Sequence, residues 1–214
     1  DPIRLVIDNY PEGHSEQCSV PNHPQRPELG RRELRFSREL WIERDDFMEE
    51  PAPKFFRLSP GREVRLRNAY FVTCRDVVKD AAGEIVELRC TYDPATRGGD
   101  APDGRRPKAT LHWVSAAHAV PAEARVYEHL FTRPDPGADG DLLADLNPGS
   151  EEVIAGCLVE PGLAEATVGE TMQFERLGYF CADPDSKPGR PVFSRTLTLK
   201  DTWVKIQAKG QQDT

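Results

Sequence analysis

Arginine side chains close to aromatic rings form the most informative chemical pattern in the sequence. Arg57 directly follows Phe55 and Phe56, and Arg65 and Arg67 come shortly after them. A guanidinium group can bond two acceptors of a base edge or a phosphate at once, and an aromatic ring can stack on an unpaired base. The pattern therefore indicates a surface that binds single-stranded RNA. The alternative is that the arginines only hydrate a sheet surface and the two phenylalanines belong to the core.

The charge of this region differs from that of the whole chain. The 214 residues carry a formal charge of −8, but residues 54–75 contain six basic residues and one acidic residue and carry +5. The rest of the chain therefore carries −13, and residues 134–170 contain nine acidic residues and neither Lys nor Arg. Local charge decides which partner a surface attracts. We expect a basic binding surface in the first half and an acidic face in the second.

Signals of catalysis or metal binding are poor. His112 and His118 are close in the segment HWVSAAH, where we expect hydrogen-bonded structural roles. The paired carboxylates at 45–46, 49–50 and 151–152 are typical of solvent-exposed loops. There is no P-loop, GxGxxG, GxSxG or HExxH motif, and the five cysteines form no CxxC pair. The sequence thus predicts neither a catalytic site nor a metal site, nor a disulfide framework.

The elements that must position the arginines are short strands. Ile3, Leu5 and Ile7 alternate with polar residues, and similar patterns cover 34–42, 84–92, 109–114, 172–181, 192–199 and 202–206. A strand over 64–72 would place Arg65 and Arg67 on the same face, because successive side chains point to opposite faces. The segment 79–83 has the turn residues to join this strand to 84–92 as a hairpin.

Helical signals are few. A helix is predicted to begin at Pro121 and run to Phe131, because proline suits the first helical position and Val126 and Leu130 lie one turn apart. A shorter helix is predicted from Asp141, an acceptable N-cap. The fold class is therefore all-β with few short helices, arranged as barrels or sandwiches.

The chain shows no signal for a membrane or for secretion. It contains no apolar run near the roughly 18 residues that span a bilayer, and its start, DPIRLVIDNY, is not a secretory leader. We expect a cytoplasmic protein. Because the sequence begins at Asp1 without Met, we interpret it as part of a longer chain.

Several segments together resemble the C-terminal anticodon-binding region of bacterial glutaminyl-tRNA synthetases. They follow the same order over nearly the whole chain and comprise DPIRLVIDNY, VPNHPQRPELGRR, LWIERDDF, the continuous stretch 64–131, and FERLGYFCADPDSKPGRPVFSRTLTLKDTW. HWVSAAHA favours the glutaminyl enzymes over the related glutamyl-tRNA synthetases, which share this architecture. The equivalent region of a glutamyl enzyme stays an alternative.

The resemblance implies two consecutive β-barrels, similar to the barrel of a ribosomal protein that binds 5S RNA. We expect a proximal anticodon-binding barrel over residues 1–112 and a distal one over residues 113–198. A C-terminal strand at about 199–207 is expected to return to the proximal barrel.

The resemblance also implies roles for individual residues. The position matching Arg57 reads the third anticodon base, and those matching Arg65 and Arg67 approach the first base and nearby phosphates. The positions matching Gln173 and Arg176 read the central base, which requires a bend or bulge because their parity along a strand is opposite. Two further candidates follow from a departure from the family, which has a basic residue where this sequence has an aromatic one. Those candidates are Phe56, by stacking, and Lys54, by its charge.

The resemblance implies that the chain recognises RNA and performs no bond-making step. The full-length protein is expected to be a class I ligase that joins glutamine to its tRNA using ATP and Mg²⁺, with its catalytic half upstream of Asp1. No cofactor is expected in this chain. The expected partners are the anticodon loop of glutamine tRNA and the protein's own N-terminal catalytic domain, and neither DNA nor a membrane. Two alternatives are a stand-alone RNA-binding barrel module and a β-domain that only stabilises a larger enzyme.

Overall fold

The fold is all-β, as predicted. The computed structural model describes residues 1–98, 100–138 and 140–199, and within them it has fourteen strands, five short 3-10 turns and no α-helix. None of the described residues forms a helix long and apolar enough to cross a bilayer. The strands are β1 (Pro2–Ile7), β2 (Ser15–Pro21), β3 (Arg31–Ser37), β4 (Glu39–Glu43), β5 (Glu63–Leu66), β6 (Phe71–Lys79), β7 (Ile85–Asp93), β8 (Thr110–Leu111), β9 (Val114–Ser115), β10 (Val120–Tyr127), β11 (Glu151–Val159), β12 (Thr171–Phe174), β13 (Gly178–Ala182) and β14 (Val192–Thr198). The 3-10 turns are Pro27–Leu29, Arg44–Asp46, Pro94–Thr96, Leu143–Asp145 and Pro161–Leu163.

The chain divides into two compact units. Unit 1 comprises Asp1–Ala119 and Leu158–Gly162, and unit 2 comprises Val120–Cys157 and the described residues from Leu163 onward. The predicted strand at 202–206 and, apart from Leu199, the predicted returning strand at 199–207 lie outside the described residues.

Unit 1 is built on a seven-stranded sheet in the order β8-β5-β6-β7-β1-β4-β9. Strand β1 lies between β4 and β7; it pairs antiparallel with β4, with Leu5 opposite Leu40, and parallel with β7, with Leu5 opposite Leu88. These three leucines are fully buried. Alternation between buried and exposed side chains therefore fixes one face of each strand against a common core.

The hairpin of β2 and β3 packs on the core of unit 1. Its inward residues, including Val20 and Phe36, are fully buried. The Phe36 ring meets the rings of Tyr10, Tyr70 and Trp113 edge to face, with centroid distances of 5.2 Å in each case. Such edge-to-face contacts add to the energy of apolar burial.

Unit 2 contains a five-stranded sheet in the order β11-β10-β14-β13-β12. Strand β10 runs parallel to β14, which pairs antiparallel with β13. Phe180 of β13 stacks on Phe174 of β12 with ring centroids 4.4 Å apart, and Phe193 of β14 is fully buried beside Phe174. The aromatic cluster forms part of the unit's core.

The predicted helix from Pro121 to Phe131 was wrong. The segment 120–127 forms β10, in which Ala122, Ala124 and Val126 are buried while the residues between them are more exposed. Alanines carry little hydrophobic signal, so this alternation of period two was hidden behind the one-turn spacing of Val126 and Leu130. The short helix predicted from Asp141 is a 3-10 turn, and its Asp141 carboxylate accepts hydrogen bonds from the N–H groups of Leu143 and Ala144.

Two predicted strands are interrupted by turns. The run 64–72 contains β5, a turn over 67–70 and the start of β6. The run 172–181 contains β12, a turn over 175–177 and β13. The predicted turn at 79–83 does join two strands as a hairpin, since β6 and β7 pair antiparallel on either side of it.

Candidate nucleic-acid interface

The predicted reading arginines of unit 1 lie at one edge of its sheet. Strand β8 is the edge strand and runs parallel to β5, with Arg65 opposite Thr110. The backbone N–H of Arg65 donates to the Ala109 carbonyl at 3.0 Å, and that of Arg67 donates to the Leu111 carbonyl at 2.9 Å. The edge strand therefore fixes the backbone that carries both arginines.

Arg57, in the segment just before β5, is held by acceptors of Asp45 and Asp46. Its Nε lies 3.6 Å from Oδ1 of Asp46, a carboxylate that is only 1% exposed, and its Nη1 donates to the Asp45 carbonyl at 3.1 Å. The guanidinium of Arg62 donates in turn to the backbone carbonyls of Phe55 and Arg57. The contacts with Asp45 and Asp46 restrict the orientation of the Arg57 side chain, which lowers the entropy it would lose on binding a ligand.

Arg65 projects from β5 between two fully buried neighbours, Val64 and Leu66, as strand alternation predicts. Its guanidinium carbon lies 5.2 Å from the centroid of the Phe71 ring. Its Nη2 is 3.7 Å from Oδ1 of Asp100, whose side chain is almost fully exposed. The Phe71 ring therefore orients the Arg65 guanidinium, while the exposed Asp100 carboxylate forms only a loose ion pair with it.

Arg67 does not share the strand of Arg65, and this part of the prediction was wrong. It is exposed in the turn after β5, where Asn68 has a positive φ of 56°. The indole N–H of Trp113 donates to the Arg67 carbonyl at 2.9 Å. Sequence alternation missed the turn because Asn tolerates the left-handed region and the turn is flanked by the apolar residues Leu66 and Phe71.

The loop before β5 also carries Lys54 and Phe56, the two candidates that follow from the departure from the family. Lys54 is exposed at a positive φ of 69°, and Phe56 is 47% exposed while its neighbour Phe55 is buried. The ammonium of Lys108 lies 4.7 Å from the centroid of the Phe56 ring. Sequence reasoning did not identify Lys108, although the basic segment GRRPK that ends in it was a signal.

The candidates of unit 2 lie at the edge of the second sheet. Gln173 is an exposed residue of the edge strand β12, paired with Tyr179 of β13. Arg176 is half-buried in the turn between these strands, with a φ of 64°. The turn supplies the bend that the opposite parity of Gln173 and Arg176 requires.

Both histidines of HWVSAAH are hydrogen-bonded, as predicted. The Nδ1 of His118 lies 2.9 Å from the hydroxyl of Ser115. The Nε2 of His112 lies 3.4 Å from a carboxylate oxygen of Glu160, which also accepts from the guanidinium of Arg32 at 2.5 and 3.0 Å. Burial favours the neutral acid, but the hydrogen bonds and charges of His112 and Arg32 outweigh it and lower the pKa of Glu160 to about 2.

The structure assigns no metal chemistry to the described residues. Within residues 1–98, 100–138 and 140–199, no group of three or more His, Cys, Asp or Glu could hold a metal ion. All five cysteines are free thiols. The candidate site therefore offers cations, aromatic rings and amides, which are the groups that recognise phosphates and unstacked bases.

Comparison with known proteins identifies the class. Residues 1–93 and residues 110–183 each match a family described as "tRNA synthetases class I (E and Q), anti-codon binding domain". Together the two matches cover most of the chain, and the chain belongs to the anticodon-binding domains of the class I (E and Q) tRNA synthetases. It is thus an RNA-binding region that binds tRNA.

Individual relatives agree with this class. The chain is 63% identical to a glutamine–tRNA ligase of Nitrobacter hamburgensis and 59% identical to one of Bradyrhizobium diazoefficiens, in each case over 98% of the chain. It is 51% identical over 96% of the chain to a glutamine–tRNA ligase of Nitrosomonas europaea. The chain spans about 37% of the length of each of these relatives.

Proposed function

We propose that the chain is the anticodon-recognition region of a glutamine–tRNA ligase and binds the anticodon loop of glutamine tRNA. The full-length protein would join glutamine to this tRNA, with ATP and Mg²⁺ bound in a catalytic domain outside the chain. The relatives named above, all glutamine–tRNA ligases, support the choice of amino acid. Recognition is then this chain's share of the reaction, and it takes place in the cytoplasm.

The observation that carries the proposal is the gathering of cations and an exposed ring at the edge formed by β5 and β8. Arg65 and Arg67 are fixed there by hydrogen bonds to the segment 109–111. Phe56 is connected to the same segment because Lys108, the residue before Ala109, lies over its ring. A loop of unstacked bases needs this combination of fork-shaped donors and an accessible aromatic face.

The arginines are suited to reading base edges rather than only to attracting RNA. Asp46 and the Asp45 carbonyl hold the Arg57 guanidinium in one plane, so its remaining donors point in a defined direction. In unit 2, Arg176 stands on a tight turn and Gln173 on the adjoining strand, which offers both an amide and a guanidinium to one base. We therefore assign base reading to Arg57, Arg65, Gln173 and Arg176, and contacts with nearby phosphates to Arg67 and Lys54.

The test is tRNA charging by the full-length protein with three separate variants, Arg57→Ala, Arg65→Ala and Arg176→Ala. Each should lower kcat/KM for glutamine tRNA by an amount equivalent to about 1–3 kcal/mol, because each removes a base contact. The loss should shrink with a tRNA whose anticodon is replaced, since the replaced base no longer offers the contact.

Arg26→Ala is a matched control. Arg26 is an exposed arginine of unit 1 whose one ion pair among the described residues is with Glu28, so its loss should leave charging unchanged. Unchanged charging in all three test variants would refute the site assignment. Equal charging of tRNAs with correct and replaced anticodons by the unaltered protein would refute the function itself.

A further inference from the structure

We propose that residues 100–108 form a second wall of the RNA-binding edge, in which Lys108 and Arg106 bind backbone phosphates of the anticodon loop. This inference rests on the proposed function and extends it to a segment that the family resemblance did not single out. It is carried by the anchoring of the segment, by the unpaired charges at its end and by its continuity with β8.

Arg105 anchors the segment to the sheet. Its guanidinium donates to Glu63 of β5 at 2.9 Å, to Asp103 at 2.6 Å and to Asp93 at the end of β7. It also lies 5.5 Å from the centroid of the Phe71 ring, the same ring that Arg65 covers. Three carboxylates therefore hold the Arg105 guanidinium and fix the start of GRRPK beside Arg65.

The two cations that follow Arg105 have a different environment. Arg106 and Lys108 are both exposed, and neither forms an ion pair with any residue in the described part of the chain. The contact of Lys108 is the face of the Phe56 ring. By comparison, Arg57 and Arg65 have carboxylates of Asp46 and Asp100 within 4 Å. Uncompensated positive charge at this edge is therefore present on Arg106 and Lys108.

Lys108 is next in sequence to the segment that fixes the backbone of Arg65 at the sheet edge. It immediately precedes Ala109, whose carbonyl accepts the backbone N–H of Arg65. An ammonium on an aromatic face keeps its full charge and gives up little water, whereas one paired with a carboxylate would have to lose that partner before it bound a phosphate. Lys108 is thus available to an anion next to Phe56, where a base would stack.

The experiment is a salt titration of tRNA binding by the full-length protein. Glutamine tRNA and a tRNA with a replaced anticodon are titrated at 50 to 200 mM salt with the unaltered protein and with Lys108→Gln. Because each phosphate contact contributes about 0.7–0.9 to the slope of log K against log salt, the variant should lose about one unit of slope. Its affinity should then change about threefold less over this range of salt. The ratio between the two tRNAs should stay the same, since phosphates carry no sequence information.

Lys79→Gln is the matched control. Lys79 is also an exposed lysine of unit 1, but it pairs with Glu49 at 2.8 Å and ends β6, about 26 Å along that strand from Phe71. Its replacement should leave the slope unchanged. Arg106→Gln should resemble Lys108→Gln.

A double-mutant cycle tests the role of the ring. If Phe56 holds the ammonium in place, Phe56→Leu should reduce the effect of Lys108→Gln on binding, so the two effects are not additive. Equal slopes for Lys108→Gln and Lys79→Gln, in a protein that still distinguishes the two tRNAs, would overturn this inference and leave the proposed function intact. Failure of the unaltered protein to distinguish them would instead count against the proposed function.

Discussion

Replacing Glu160 by Gln should destabilise unit 1 by about 3 kcal/mol at neutral pH. The Glu160 carboxylate is buried and accepts two hydrogen bonds from Arg32, while His112 approaches it at 3.4 Å. Its pKa of about 2 lies some two units below that of an unfolded glutamate, and each unit corresponds to about 1.36 kcal/mol. Glutamine keeps the shape of the side chain but removes the negative charge that pairs with the Arg32 guanidinium.

The pH dependence provides the sharper test. Because the pKa of Glu160 is lower in the folded chain than in the unfolded one, its contribution is complete above about pH 5 and is lost as the pH falls towards 2. The difference between the two proteins should therefore fall to about half its neutral value near pH 3. A neutral side chain at position 160 cannot show this titration.

Urea unfolding followed by tryptophan fluorescence measures the effect. Trp41 and Trp113 both belong to unit 1, and a Trp203→Phe background removes the signal from outside the described residues. Glu28→Gln is the control, because Glu28 forms an exposed pair with Arg26 and its replacement should leave the stability nearly unchanged. A difference for Glu160→Gln below 1 kcal/mol, or one that is equal at pH 7 and pH 3, would refute the reasoning.

Two further substitutions test the backbone around the candidate sites. Thr96→Val should destabilise unit 1 by about 1–3 kcal/mol while Thr96→Ser has little effect, because the fully buried Thr96 hydroxyl accepts the N–H of Phe71 at 2.9 Å and donates to the Asp93 carbonyl. Urea midpoints of both variants check this, and equal midpoints would contradict it. Gly178→Ala should destabilise unit 2 by about 2 kcal/mol or more, because a Cβ there would lie 2.5 Å from the Leu197 carbonyl oxygen at a φ of 153°. Thermal unfolding should show it, whereas Gly189→Ala, with open space around its Cβ position and a φ of 70°, should cost about 1 kcal/mol.

Strand alternation predicted the part of the site that depends on local pattern. Val64 and Leu66 are large and apolar, so the orientation of Arg65 followed from the sequence and is confirmed. Arg67 was misplaced because a local turn ends β5, closed by hydrogen bonds from the N–H groups of Leu66 and Ala69 to the carbonyls of Tyr70 and Leu66, and the alternation of apolar residues continues through it. β10 was missed for a different reason, since its pairing with β14, far along the chain, outweighs a weak helical spacing.

The sequence also could not show which cations have a carboxylate beside them and which do not. Charge counting gave residues 54–75 a net charge of +5. Two of these cations have acidic neighbours from outside that range, however, because Arg57 lies beside Asp46 and Arg65 lies beside Asp100. Lys108 was outside the counted stretch, although its ammonium meets the Phe56 ring within it. Which charges remain available depends on contacts between segments far apart in the chain, and no local sequence pattern contains these contacts.

Unit 1 is formed by two separate segments of the chain, and this limits where a chimaera with a relative can be joined. The chain leaves unit 1 after Ala119, returns to it for Leu158–Gly162 and leaves it again. A single cut after Ala119 would therefore separate Arg32 and His112 from Glu160, their shared carboxylate. A chimaera that takes unit 1 from a relative must therefore include Leu158–Gly162 together with the first 119 residues, because both segments belong to the same folded unit.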